Sequence, residues 1–186
     1  MRTSALHRVP AAGFSLVELM VTLTVAAILA MIAAPSFRTY MLNTRRDSIV
    51  DGLVASLHYA RNQALNLDQT TTLCAGTPGT SCTGGSWANG WEVVTVPAAS
   101  ATVMLATHAL QAAGTTPTLS AADPAFAFNG VGLVTGMGAT GSELMTVCDT
   151  RGASMARAVE INRAGFIQSS PKPGFAPDGS TALSCP

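Results

Sequence analysis

The sequence predicts an α+β fold in which one long N-terminal helix packs on an antiparallel β-sheet head. Two features of the 186 residues lead to this prediction. Residues 14–67 begin as an almost unbroken apolar run and continue with apolar side chains at helical spacing. The rest of the chain has short apolar stretches between clusters of Gly, Pro, Asn and Ser, which is typical of strands and turns. No second helical pattern follows, so the crossover helices that parallel strands need are missing.

The apolar run at residues 14–34 contains a single charged residue, Glu18. Its 21 residues would form a helix of about 31 Å, close to the thickness of a bilayer core. Arg2 and Arg8 precede the run and the next basic residue is Arg38, so we expect the C-terminal part to cross the membrane. A cleaved secretory signal peptide is the alternative, but its apolar core usually has only about 7–15 residues.

The same helix is predicted to continue to about Leu67, because apolar residues recur there at steps of three or four. Residues 35–68 therefore form an amphipathic half, with Arg45 and Arg46 on its polar side. Pro35 lies within the helix and removes one of its hydrogen bonds, so we expect a kink at that position. The predicted apolar stripe consists of Leu42, Ile49, Leu53, Leu57, Ala60, Ala64 and Leu67.

Residues 69–186 are predicted to form a β-rich head built on one antiparallel sheet. Within it, residues 136–141 match the pattern G-x-G-x-x-G of dinucleotide-binding proteins. That motif needs a helix after it, whereas residues 142–147 have the composition of a strand, so we interpret the stretch as a glycine-rich loop. The predicted strands cover residues 70–75, 90–96, 103–110, 125–128, 144–149, 158–162 and 165–168.

All 4 cysteines follow the apolar run and are therefore expected on the translocated side of the membrane. An even number of cysteines in that compartment favours two disulfides. Of the three possible pairings we expect Cys74–Cys82 and Cys148–Cys185. The first pair flanks a turn-rich stretch, and Cys185 would fasten a tail that is rich in Pro and Gly and has few apolar anchors. No metal site or cofactor is expected, because there is no C-x-x-C pair and the histidines are scattered, namely His7, His58 and His108.

The string AGFSLVELM at residues 12–20 resembles the type IV pilin family, which includes the pseudopilins of type II secretion. The resemblance implies that a prepilin peptidase cuts between Gly13 and Phe14, removes the leader at residues 1–13 and methylates the new amino group of Phe14. It also implies that Glu18, the fifth residue of the mature chain, pairs with the N-terminus of a neighbouring subunit. The alternative is a glutamate that merely reaches the membrane surface.

The head narrows the resemblance to the GspH/FimT group of minor pilins, through the cysteine pair and the W-x-x-G-W pattern of Trp87 and Trp91. We interpret both tryptophans as packing residues. One branch of this group binds DNA through a Gly-Arg-x-Arg motif, but the matching stretch here is GFIQ at residues 165–168. Loss of Arg2 and Arg8 with the leader would leave 8 of the 10 basic side chains against 10 acidic ones. DNA binding is therefore not expected, although Arg151, Arg157 and Arg163 leave a small basic patch as the alternative.

We therefore predict a minor pilin or pseudopilin of a type IV pilus or a type II secretion system. It would be a single-pass protein of the bacterial inner membrane, with residues 14–34 in the bilayer and residues 69–186 in the periplasm. Its partners would be prepilin peptidase and other subunits, the latter through the N-terminal helix. The rival hypotheses are a DNA receptor of natural transformation and a membrane-anchored periplasmic enzyme. The enzyme is disfavoured because His58 and His108 have no catalytic motif around them and oxidised cysteines offer no thiol.

Overall fold

The computed structural model describes residues 13–76, 79, 82, 85–95, 102–110, 117–137 and 141–185. Residues 1–12 of the predicted leader, with His7, lie outside the described residues. The chain divides into two compact units, residues 1–40 and residues 41–186. The second unit contains the head, and it positions most of the side chains discussed below.

Helix α1, Leu16–Leu67, has 52 residues and runs through Pro35 without interruption. The kink at Pro35 stays a prediction. Up to Tyr40 every described side chain of the helix is exposed. Among the described residues, α1 is the helix whose length and hydropathy suit a membrane span.

Within the head, α1 buries a stripe along one face, made of Arg46, Ile49, Val50, Leu53, Leu57, Ala60 and Ala64. The predicted apolar face is buried except at its two ends. Leu42 is only partly buried and Leu67 is 43% exposed, because the core ends before the helix does. Arg46 was placed on the polar side but is 2% exposed. Its Nη1 donates to the carbonyl oxygen of Met155 at 2.6 Å, which offsets the cost of burying the guanidinium.

The described residues form nine strands, and all their pairings are antiparallel. One sheet has the order β3-β2-β1-β5-β6 and the other β4-β7-β8-β9. The strands are β1 Thr71–Ala75, β2 Gly90–Thr95, β3 Val103–Ala109, β4 Thr118–Ser120, β5 Ala125–Phe128, β6 Val134–Thr135, β7 Ser142–Cys148, β8 Arg157–Asn162 and β9 Ile167–Ser169.

The antiparallel prediction is confirmed, and each predicted strand is present with boundaries that differ by at most two residues. The single sheet was wrong, because the strands divide between two sheets. The chain alternates between the sheets, since β4 belongs to the second sheet and β5 and β6 to the first. After the glycine-rich stretch that follows β6, the next element is β7 and not a helix. Strands β4 and β6 were missed because three and two residues are too few to show an alternating pattern.

The core of the head lies between the helix stripe and the inner faces of both sheets. Trp87 is 5% and Trp91 1% exposed, so both pack in the core, as interpreted from the sequence. The indole Nε1 of Trp87 donates to the carbonyl oxygen of Asp123, and that of Trp91 donates to Ser56 Oγ on the helix, each at 2.9 Å. Both indole groups therefore keep a hydrogen bond despite their burial.

His108 on β3 stacks on Trp91, with ring centroids 4.2 Å apart and planes 9° from parallel. Burial lowers the pKa of His108 below its usual value of 6.5, because the charged imidazolium is poorly solvated there. The unfolded chain therefore binds the proton more readily than the folded head. The stability that comes from keeping His108 neutral is present above pH 6.5 and is lost as the pH falls through the lowered pKa.

We accordingly expect His108→Phe, which keeps a stacking ring that cannot be protonated, to gain on the wild type as the pH falls from 7 to 5. The measurement is thermal unfolding of the detergent-solubilised full chain at several pH values. His58 is exposed and is unchanged in the variant, so it does not contribute to the difference between the two proteins. A difference in melting temperature that does not change with pH would contradict the expectation.

Candidate assembly site

The N-terminal end of α1 brings together the residues that the sequence singles out for processing and assembly. Gly13, Phe14 and Ser15 precede the first helical residue, Leu16. Ser15 caps the helix, since its Oγ accepts a hydrogen bond from the backbone N–H of Glu18 at 3.2 Å. Phe14 is 79% exposed, and a methyl group added at Gly13 would meet no atom of the described residues within 4 Å. The junction between Gly13 and Phe14 is thus an open segment next to a capped helix.

Glu18 lies one turn into the helix among apolar side chains that are all exposed, such as Leu16 at 76% and Val17 at 68%. Within the part of the chain that the structure describes, no side chain is bonded to its carboxylate. An anionic group in this position suits the N-terminal end of a helix, where the helix dipole is positive. In an apolar environment, however, it needs a cation from elsewhere.

The capping role of Ser15 was not predicted from the sequence, where the serine counted only as part of the family pattern. The spacing of Ser15 and Glu18 is that of a capping box, S-x-x-E, and that pattern would have identified the cap. The structure shows the serine half of the box. The start of α1 at Leu16 is therefore explained by the hydrogen bond to Ser15 as well as by the resemblance to the pilin family.

In the head, Cys74 is joined to Cys82. The loop that they close is held by Glu92 on β2, which is 1% exposed. The two carboxylate oxygens of Glu92 accept from the backbone N–H groups of Cys82 at 2.7 Å and Gly79 at 2.8 Å. Nothing in the sequence pattern indicated this role for Glu92. Both cysteines are in the disulfide, so the proximity of Glu92 to their sulfur atoms does not provide thiolate ligands for a metal.

Cys148 at the end of β7 is joined to Cys185 in the C-terminal tail. The expectation that the tail has few apolar anchors was wrong. Ala176 and Leu183, each 7% exposed, pack with Ala156 and Ala158 in a second small core. The tail is therefore held by burial as well as by the disulfide.

Removing the second disulfide by a double Cys148→Ala, Cys185→Ala change is expected to lower the free energy of unfolding by about 3–4 kcal/mol on the loop-entropy model. The loss in free energy of unfolding is large because this pair closes a loop between cysteines 37 residues apart, whereas Cys74 and Cys82 are 8 residues apart. The matched control is Cys74→Ala, Cys82→Ala, for which the same model gives about 2–3 kcal/mol. Chemical denaturation of the full chain in detergent measures both, and an inverted order would contradict the model.

Two of the three arginines of the possible basic patch, Arg151 and Arg157, lie next to carboxylates. Arg151 Nη2 lies 2.6 Å from Asp149 Oδ2, and its Nη1 donates to Asn43 Oδ1 at 2.9 Å. Burial raises the pKa of Asp149, but the hydrogen bonds from Arg151 outweigh it and hold that pKa below the usual value. Arg157 Nη1 lies 3.9 Å from Oδ1 of Asp47 on helix α1. Two of the three arginines therefore tie the β7–β8 connection to α1 and are poorly placed to bind phosphate.

Two family models match this chain. The first is described as type II transport protein GspH and matches residues 50–165, and the second is the prokaryotic N-terminal methylation motif, which matches residues 9–34. The solved structures similar to this chain include two crystal forms of the type IV minor pilin FimU from Pseudomonas aeruginosa strain PAO1. One has a TM-score of 0.57 at 20% identity and covers 77% of this chain and 96% of that chain. The other has a TM-score of 0.54 at 20% identity and covers 75% and 99%.

Proposed function

Because the chain belongs to the GspH family of type II transport proteins, and is a minor pilin or pseudopilin subunit, we propose that its N-terminal segment is cleaved, anchored and then built into a filament. Prepilin peptidase cuts between Gly13 and Phe14 and methylates the Phe14 amine. The leader at residues 1–13 is thereby removed. The N-terminal methylation motif and the open segment at Gly13 support this step.

After cleavage, residues 14–34 hold the chain in the inner membrane and residues 69–186 lie in the periplasm. The exposed apolar side chains of α1 and the basic leader support this topology. The two disulfides of the head fit an oxidising compartment. The amphipathic half at residues 35–68 joins the two parts.

Glu18 then recruits the chain into the filament by pairing with the Phe14 amine of a neighbouring subunit. The single observation that carries this step is the position of Glu18, which lies in the apolar run with no described side chain bonded to its carboxylate. A carboxylate in a bilayer core costs about 2.5–3.5 kcal/mol on insertion scales, so leaving the membrane for a site with a cation is favourable. The proposal gives the chain a structural role, and the engaged arginines of the head offer no support for the DNA alternative.

The test of this proposal uses the full chain in cells that make the whole machine. Mass spectrometry of the purified protein is expected to find a chain that starts with N-methylated Phe14. Fractionation is expected to find it in the membrane and with the sheared or detergent-extracted filament. A mature chain with another N-terminus, or one never associated with other subunits, would refute the proposal.

A further inference from the structure

The first disulfide, between Cys74 and Cys82, joins a half-buried cysteine to a buried one. Cys82 is partly accessible, whereas Cys74 is 2% exposed. A thiol in solution therefore reaches this disulfide from the side of Cys82. Thiol–disulfide exchange begins when a thiolate attacks one sulfur atom, and the other sulfur leaves with the electron pair of the broken bond. The leaving group here is consequently the Sγ atom of Cys74, which becomes a thiolate inside the head.

The Sγ atom of Cys74 lies beside a buried carboxylate. Glu92 Oε1 is 4.0 Å from this sulfur, and Glu92 is 1% exposed. Two charges of the same sign repel strongly at such a distance when little water lies around them. The carboxylate is also held in place, because its two oxygens accept from the backbone N–H groups of Gly79 and Cys82. A thiolate at Cys74 would therefore form next to a fixed negative charge.

The second disulfide provides an internal comparison. Cys148 is 6% exposed and Cys185 is half-buried, so one cysteine is again more accessible than the other. Among the described residues, the group in which a carboxylate oxygen and two cysteine sulfurs all lie within 4.8 Å of one another is that of Cys74, Cys82 and Glu92. The second disulfide therefore has a similar burial without a carboxylate beside both of its sulfur atoms.

We propose that Glu92 protects the first disulfide from thiol exchange, because its charge opposes the release of Cys74 as a thiolate. The attacking thiols are small molecules such as glutathione and the free cysteines of the chain itself. Cys148 carries such a thiol until it has paired with Cys185, and its attack on the first disulfide would produce a wrongly paired head. The buried charge of Glu92 thus keeps the first pairing fixed while the second is still to form.

The experiment treats the detergent-solubilised full chain with reduced glutathione and follows each disulfide by alkylation and peptide mapping. One glutathione thiolate attacks the Sγ atom of Cys82 and forms a mixed disulfide, while the Sγ atom of Cys74 leaves and takes a proton from water. A second glutathione thiolate attacks the glutathione sulfur of the mixed disulfide, which gives oxidised glutathione and the Cys82 thiol. In the wild type we expect the first disulfide to be reduced more slowly than the second. The reverse order would overturn the inference.

Glu92→Gln keeps the shape of the side chain and removes its charge. We expect this variant to speed reduction of the first disulfide by about tenfold or more, and to leave the rate for the second disulfide unchanged. The matched control is Glu143→Gln. Glu143 also accepts from two backbone N–H groups, those of Ala122 and Asp123, but it does not belong to the group around the first disulfide. An unchanged rate in Glu92→Gln, or an equal acceleration in Glu143→Gln, would contradict the proposal.

Glu92→Asp separates the charge of Glu92 from its hydrogen bonds to the loop. The shorter side chain keeps a carboxylate near the sulfur atom of Cys74 but weakens the bonds to the N–H groups of Gly79 and Cys82. We expect its first disulfide to be reduced at a rate much closer to that of the wild type than to that of Glu92→Gln. Equal acceleration in both variants would assign the protection to the loop bonds and overturn the inference. An unchanged rate for the second disulfide shows that the head of each variant has folded.

Discussion

Replacing Glu18 by Ala is expected to leave the chain in the membrane and to remove most of it from the filament. Without the carboxylate the apolar run is easier to insert, since a charge in lipid costs about 2.5–3.5 kcal/mol more than no charge. In the filament, the Phe14 amine of a neighbour would lose its counter-ion in a water-poor environment, and breaking such a pair is strongly destabilising. We therefore expect a loss of more than about tenfold in incorporated protein.

Two further variants separate the charge of Glu18 from its place in the helix cap. Glu18→Gln keeps the shape and drops the charge, so it should behave like the Ala variant. Ser15→Ala removes the Oγ that accepts the backbone N–H of Glu18 and leaves the carboxylate in place. It should weaken the first turn by about 1 kcal/mol and reduce incorporation far less than the loss of Glu18 does.

The measurement compares membrane-bound and filament-associated protein for wild type and the three variants. Normal incorporation of both Glu18 variants would mean that the glutamate only reaches the membrane surface. A failure of Ser15→Ala as severe as that of Glu18→Ala would assign the effect to the helix cap instead of the charge. Equal amounts of disulfide-bonded protein in the membrane show that the head has folded in each case.

Gly13→Val is expected to abolish cleavage, so that the protein accumulates with its leader attached. The β-branched side chain would obstruct a peptidase site that accepts glycine. A clash within residues 13–76 does not explain such a result, because among the described residues a methyl group added at Gly13 would meet no atom within 4 Å. The measured quantity is the N-terminal mass of membrane-extracted protein, with Ala11→Val as a control in the same leader that should still be cut.

A Gly13→Val chain that retains its leader should also be absent from the filament. It has no free Phe14 amine, and the basic leader still precedes its apolar run. Efficient cleavage of this variant would show that glycine is not required at the junction. If the Ala11→Val chain also retained its leader, cleavage would be sensitive to bulkier side chains in the leader generally and not to Gly13 in particular.

The long helix, the antiparallel strands and the family were all predictable from the sequence, because each produces a pattern that repeats or a motif with fixed spacing. The division into two sheets was not, since β4 and β6 are too short to show a period. Arg46 and Glu92 are almost fully buried charged residues, and composition alone places such residues outside. Besides the ion pair of Arg46 with its neighbour Asp47, the partners of these buried charges are distant backbone groups that only the folded chain brings close, namely the Met155 carbonyl and the Gly79 and Cys82 amides. Ser15 was predictable, because the capping box is local.

The positions of the two disulfides impose an order of events on the head. Cys82 follows Cys74 by 8 residues, so that pair can close as soon as its own loop has been made and exported. Cys185 comes 37 residues after Cys148, so the second bond has to wait for the whole of β8, β9 and the tail. The end of β7 therefore becomes fastened to the tail only once the rest of the head has been delivered. A subunit in which the second disulfide has not yet formed would have a free thiol at Cys148. Thiol labelling would therefore report how far the head has matured.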